Sequence, residues 1–199
     1  MSDKLSISYH TAKRILLELL ENNDFSTDED ILKILGSVVQ KEINNETNND
    51  KEEMSRIIID KNGHIFLPDY SPMEVKMPYL PKTVFLFFLI HKEGVEFKSM
   101  YNYMHELYEI YQIVALEKNT EAGKIRRSLE NLVEPVNNRI YETCSIIRRN
   151  LANVVPESLM EIYCITGRRG EKHQINVDRS LIKVENGKLK EMFDMKNDL

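Results

Sequence analysis

The sequence predicts an α+β domain over residues 55–177, preceded by a separate acidic helical segment, and three features carry that expectation. Two short β-rich runs, Arg56–Asp60 and His64–Leu67, flank an Asn62-Gly63 pair. Four apolar-periodic segments follow between Leu80 and Leu151. The pattern then returns to two short β-rich runs around a Gly167-Arg168-Arg169-Gly170 loop. Two short β-rich runs around an Asn-Gly pair are the strongest short-range hairpin signal.

Each element has a local reason. Residues 8–22 set Ala12, Ile15, Leu16, Leu19 and Leu20 on one helical face. Ser26-Thr27-Asp28-Glu29 forms a capping box for a second helix to about residue 42. Two short amphipathic helices cannot bury their apolar faces alone, so residues 1–43 must pack on the main domain or on a partner. Residues 44–54, mostly Asn, Asp, Glu, Lys and Thr, read as a solvated linker. After the Asn-Gly hairpin, Pro68, Pro72 and Pro78 keep the chain irregular or at a sheet edge, with Val75–Met77 as one more short strand. Pro81 suits the first turn of a helix running to His91, apolar nearly all round and hence central to the core. Gly94 suits its left-handed cap. Val95-Glu96-Phe97 is a minimal strand. A second helix from Ser99 carries Tyr103, Leu107, Ile110, Tyr111 and Val114. A third starts at Asn119-Thr120 with Ile125, Leu129, Leu132 and Val133, and Pro135 ends it. The fourth, 137–153, repeats Ile140, Cys144, Ile147 and Leu151 at helical spacing. Glu161–Ile165 and Gln174–Val177 are expected as strands of a basic-tipped hairpin. Residues 178–199 read as a tail with a turn at Asn186-Gly187.

Composition narrows the function. Of 199 residues 42% are hydrophobic and 30% charged, the profile of a soluble globular chain. No basic segment leads into an apolar stretch at the amino terminus. The longest apolar run, Val84–Ile90, is far short of a membrane span. A cytoplasmic protein with no membrane contact is expected. Cys144 and Cys164 lack metal-type spacing and fit small core residues. His10, His64, His91, His105 and His173 are scattered and read as surface or boundary residues. With no phosphate loop, nucleophile motif or metal cluster in the sequence, the expectation is no enzyme, no cofactor and no metal. Net charge is −5, but residues 1–54 carry 6 basic and 12 acidic side chains against 21 and 20 in the remainder. An acidic front on a near-neutral body leaves nucleic-acid binding open.

The run Leu80-Pro-Lys-Thr-Val-Phe-Leu-Phe-Phe-Leu89, the stretch Gly94-Val-Glu-Phe-Lys-Ser99, the helix Cys144-Ser-Ile-Ile-Arg-Arg-Asn-Leu151 and the hairpin Tyr163-Cys-Ile-Thr-Gly-Arg-Arg-Gly170 share one order. From Ile57 to Val177 that order resembles the winged-helix DNA-binding effector domain of the OmpR/PhoB type of response regulator. The resemblance implies a winged helix-turn-helix with an amino-terminal hairpin or small sheet, here with an added amino-terminal helical segment. Helix 137–153 would recognise DNA and hairpin 161–177 would be the wing. The chain departs from that plan in inserting a helix within Glu117–Val136 and in placing Ile146 where the family commonly has arginine. Residues 1–50 are also too few for the receiver domain that normally precedes the module.

On the candidate recognition helix, Ile140, Cys144, Ile147 and Leu151 fall within about 60° and define the buried stripe. The opposite face carries Asn138, Glu142, Ser145 and Arg149, flanked by Arg139, Tyr141, Ile146 and Arg148. Asn, Ser and Arg suit base edges and phosphates, whereas Glu142 repels the backbone unless it meets a cytosine amino group. The hairpin adds Arg168, Arg169, Lys172 and His173 against Glu171. The expected nucleic-acid contacts are therefore Asn138, Arg139, Tyr141, Ser145, Arg148, Arg149, Arg168, Arg169, Lys172 and His173. Lys124, Arg126 and Arg127 read as a solvated face. Tyr101, Met104, Tyr108 and Tyr111 form a stripe for core or interface packing. Two functions stay open: a transcription-regulatory protein on double-stranded DNA, or a protein-interaction module on the same scaffold. Residues 8–42 would serve a homodimer or a protein partner.

Overall fold

The computed structural model describes residues 53–115 and 122–196, so the helices expected at 8–22 and 26–42, the linker to Glu52, His10 and the Asn119-Thr120 helix start lie outside the described residues. Residues from Glu53 onward form one compact unit of mixed α+β character. Strands β1 (Ile57–Ile59) and β2 (Ile65–Leu67) pair antiparallel across Asn62-Gly63, with Gly63 at φ +79°. The Asp60 carboxylate accepts the Asn62 and His64 amides at 2.9 and 2.8 Å and fixes the turn. Strand alternation sends Ile57, Ile59, Ile65 and Leu67 into the core.

The third strand, β3 (Ser71–Glu74), lies ahead of the expected Val75–Met77 and forms one edge of the sheet, where Pro72 leaves no interior hydrogen bond missing. Val75 and Met77 still reach the core just past the strand. Helix α1 (Tyr79–Ile90) is buried from Pro81 to Ile90 on every side. Its two polar members are satisfied: the Thr83 hydroxyl donates to the Tyr79 carbonyl at 2.8 Å, and Lys82 donates to Glu74 of β3 at 2.9 Å. Gly94 takes the left-handed conformation at φ +70°. Next come β4 (Val95–Glu96), a 3-10 segment (Phe97–Tyr103) and α2 (Met104–Val114). Helix α3 (Ala122–Val133) buries Ile125, Leu129, Leu132 and Val133, the four residues its periodicity selects. Helix α4 (Arg139–Leu151) packs on α1 and α3.

Two expected elements differ. Glu161–Ile165 is not a strand, because Met160–Tyr163 forms a single helical turn, α5. Met160, Tyr163 and Cys164 are all buried, a spacing that strand alternation cannot satisfy. Gln174–Val177, expected as the second hairpin strand, is irregular apart from one bridge between Gln174 and Thr166; the strand lies just before it, β5 (Lys172–His173), and pairs antiparallel with β4. Since β4 offers two residues, pairing stops there, and Ile175 and Val177 bury in irregular chain.

Residues 178–196 are no detached tail. Strand β6 (Ile182–Val184) pairs parallel with β1 and closes the sheet in the order β3-β2-β1-β6. Asn186 then caps α6 (Gly187–Met195), accepting the Leu189 amide at 3.0 Å. Leu189, Met192 and Phe193 join the core. Arg179 donates to the Leu89 and Ile90 carbonyls, which the end of α1 leaves without helical partners, and its guanidinium lies 4.3 Å from the Phe193 ring centre. Arg179→Ala removes charge-assisted bonds to half-buried carbonyls and should cost about 2 kcal/mol, read as a lower urea midpoint with unchanged slope. A midpoint equal to wild type would mean that this segment does not hold α1.

Candidate nucleic-acid interface

Helix α4 and the hairpin after it carry the expected contacts. The chain enters α4 through Pro135 and a 3-10 turn, and Asn138 stands at φ +49°, a left-handed conformation that asparagine tolerates better than most residues. The Asn138 side chain makes no cap bond, leaving its amide exposed at the helix start. The inner face of α4 is Ile140, Thr143, Ile147 and Leu151. Thr143, not Cys144, takes the inward place, because its hydroxyl donates to the Arg139 carbonyl at 2.8 Å and so can be buried. Cys144 is half-buried at the edge of the core rather than within it, and burial pushes its thiol up to about 12. Burial also raises Cys164.

The outer face is largely engaged with itself. Arg139 donates to Glu142 at 2.9 Å and Arg148 to Glu161 at 3.1 Å. The Ser145 hydroxyl donates to the Tyr141 carbonyl at 3.0 Å, and the Asn150 amide to the Ile146 carbonyl at 2.7 Å. Arg149 is exposed and has no ion-pair partner among the described residues. Tyr141 is 39% exposed and meets the Phe97 ring edge-on, centroids 5.1 Å apart.

In the hairpin, reciprocal Thr166–Gln174 backbone bonds of 2.9 Å fix the base, and the Glu171 amide donates to Arg168 to close the turn. Gly170 sits at φ +85°, with nothing within 4 Å of where a Cβ would stand. At Gly167, by contrast, a Cβ would lie 2.6 Å from the Lys172 carbonyl oxygen and 2.8 Å from the His173 ring. Arg168, Arg169 and Lys172 are exposed and without an ion pair among the described residues. His173 departs from expectation. It is 6% exposed, stacks flat on Phe97 at 3.7 Å, and donates from Nδ1 to the Glu171 carbonyl at 3.0 Å. It anchors the hairpin and faces no solvent. His91 is likewise buried rather than a boundary residue, hydrogen-bonded to Glu106 at 2.9 Å.

The structure thus brings Asn138, Tyr141 and Arg169 onto one groove of about 220 Å³, completed by Phe97, Lys98 and Pro135. Arg148 pairs toward Glu161 instead, and His173 is spent on packing. Phe97 is the residue that sequence reasoning missed: it links the hairpin, through His173, to α4, through Tyr141. A bulky aromatic directly after a two-residue strand was the available signal. Among the described residues no group of three or more His, Cys, Asp or Glu side chains is arranged to hold a metal, and no helix is long and apolar enough to cross a membrane.

Burial lowers the His173 pKa below the usual value of about 6.5. The unfolded chain therefore binds this proton more readily than the folded one. The stability that neutral His173 contributes is fully present above about pH 6.5 and is lost as pH falls toward the lowered folded value. His173→Phe keeps an aromatic on Phe97 and removes the titration. The difference in urea midpoint between wild type and His173→Phe should therefore change between about pH 7.5 and about pH 5, against wild type at the acid end. A constant difference across that range would show that His173 does not titrate in a buried setting.

No family model, curated protein or solved structure matches the chain.

Proposed function

We propose that this chain binds double-stranded DNA as a transcription-regulatory protein of winged-helix plan, with α4 facing the duplex and the 166–174 hairpin as its wing. The order α1, β4, α2, α4, hairpin supports the plan, as does the antiparallel pairing of β4 with β5, which docks the hairpin beside α4. Helix α3 is the insertion. The observation that carries the reading is the placement of unpaired Arg169 across one groove from Asn138 and Tyr141 at the start of α4. Arg169 and the Asn138 amide suit a phosphate and a base edge together, while Glu96, which also lines the cleft, is paired with Lys98.

A second reading has its own observation. Tyr101, Met104, His105 and Tyr108 line a predominantly apolar groove of about 670 Å³ against Arg126 and Glu130 of α3. Exposed aromatic surface of that kind suits a protein partner.

Salt separates the two. Arg149, Arg168, Arg169 and Lys172, four cations without an ion pair among the described residues, correspond to a log–log slope of about −3.6, so affinity for random duplex should fall about a hundredfold between about 50 and about 200 mM salt. Fluorescence anisotropy with labelled duplex reads this directly. Absence of binding at the lower salt would rule out the DNA reading and leave the apolar groove as the functional surface.

A further inference from the structure

We infer that the hairpin tip, rather than α4, carries the nucleic-acid contact, and that the target is duplex DNA recognised through its backbone and groove shape with little dependence on base sequence. This inference rests on the DNA-binding reading above and states what kind of DNA that site takes.

Base reading needs side chains with spare donors and acceptors aimed outward. On α4 most of those groups are already committed, Arg149 being the one arginine without an ion pair among the described residues. Arg139 is held by Glu142, and Arg148 by Glu161. The hydroxyls of Thr143 and Ser145 and the amide of Asn150 donate to carbonyls of their own helix. Exposed ion pairs open at small cost, but opening these leaves two carboxylates where phosphates would approach. The helix surface thus offers three arginines opposed by Glu142 and Glu161.

The hairpin has the opposite character. Arg168, Arg169 and Lys172 form no ion pair among the described residues; Glu171 stands beside them, Glu96 lies opposite Lys172 across the β4–β5 ladder but pairs with Lys98, and Glu134 lines the groove that Arg169 shares. Gly170, at φ +85° and with open space where a Cβ would stand, lets backbone approach closely at the tip, and arginine there meets the strong negative potential of a narrow groove. The base of the hairpin is rigid, because His173 is stacked on Phe97 and Gly167 is packed too closely to admit a side chain. Charge displayed on a firmly seated loop lowers the ordering cost of binding. Contact with phosphates and groove walls carries no sequence information, so binding governed by this loop is tolerant of sequence.

The test compares variants by anisotropy on A·T-rich, G·C-rich and mixed duplexes. Arg168→Ala with Arg169→Ala should weaken binding to all three alike, by about tenfold or more near 50 mM salt, and make the salt slope shallower by about 2. Arg168→Lys with Arg169→Lys should stay within about threefold of wild type, since a phosphate contact needs the charge more than the arginine fork. Arg149→Ala and Ser145→Ala should each cost less than the hairpin alanine pair and leave the ranking of duplexes unchanged. Far-UV circular dichroism and urea midpoints matching wild type establish that the tip variants are folded. Wild type that binds DNA while the hairpin alanine pair binds equally well overturns this inference and leaves DNA binding standing. So does a defined site selected from random duplexes whose recognition Arg149→Ala or Ser145→Ala abolishes. Wild type that binds no duplex at low salt overturns the DNA reading itself, and this inference with it.

Discussion

A helix with no solvent face must be covered from every direction, and α1 imposes that requirement on the rest of the fold. From Pro81 to Ile90 every side chain is buried, including a lysine and a threonine. Each large apolar side chain moved from water into such a setting contributes about 1.5–3 kcal/mol, so the chain gains by closing around this helix. The sheet, α2 and α4 each supply a wall. The remaining exposure, at the carboxyl end of α1, is sealed by Arg179 from a segment about ninety residues later. The same segment supplies β6, which runs parallel to β1. Parallel pairing needs a long crossover, and here nearly the whole domain lies between the two strands.

Enclosing a helix so completely raises the question of its polar groups, and the structure answers with long-range bonds. Lys82 would be costly as a lone buried charge, but Glu74 on the edge strand meets it at 2.9 Å and ties the sheet to α1. Tyr163, fully buried on the one-turn helix α5, donates to the Ser55 carbonyl at 2.6 Å and draws that turn onto the start of the sheet. Burial raises its phenol far above the ordinary range, so it stays a neutral donor. These bonds span 8 and 108 residues of chain, and both are formed by groups whose isolation in the core would be unfavourable. They therefore favour one arrangement of the apolar elements over its alternatives.

Local signals in the sequence locate elements whose reasons are local. The Asn62-Gly63 turn, the left-handed Gly94 and the four buried residues of α3 follow directly from residue chemistry and periodicity. The misplaced features depend on partners elsewhere. The hairpin strand falls at Lys172–His173 because β4 is two residues long, which the sequence of the hairpin cannot reveal. Residues 182–184 become a strand through β1, far away in sequence. Thr143 displaces Cys144 from the inner face because a backbone bond satisfies its hydroxyl, a detail that apolar periodicity ignores. The candidate site shows the same division. Arg168 and Arg169 stand exposed at the tip as their glycine-flanked position implies. Arg139 and Arg148 are occupied by acids three and thirteen residues away, and His173, polar and next to a basic loop, is drawn inward by the ring of Phe97, just past β4.

The role of Phe97 shows how the fold and the site depend on each other. A two-residue ladder is too short to hold a hairpin in place by its own hydrogen bonds. The seating comes instead from a chain of rings, His173 flat on Phe97 and Phe97 against Tyr141, which joins the hairpin to α4. Phe97 also meets Phe88 of α1 at 5.9 Å, so the same ring rests on the enclosed helix at the centre of the domain. The position of the arginine tip is therefore set by core packing, and Arg168 and Arg169 form no ion pair among the described residues. Ring packing thus seats the base of the hairpin against α4, whose Arg139 and Arg148 are paired with Glu142 and Glu161, and the same packing ties both to the enclosed helix.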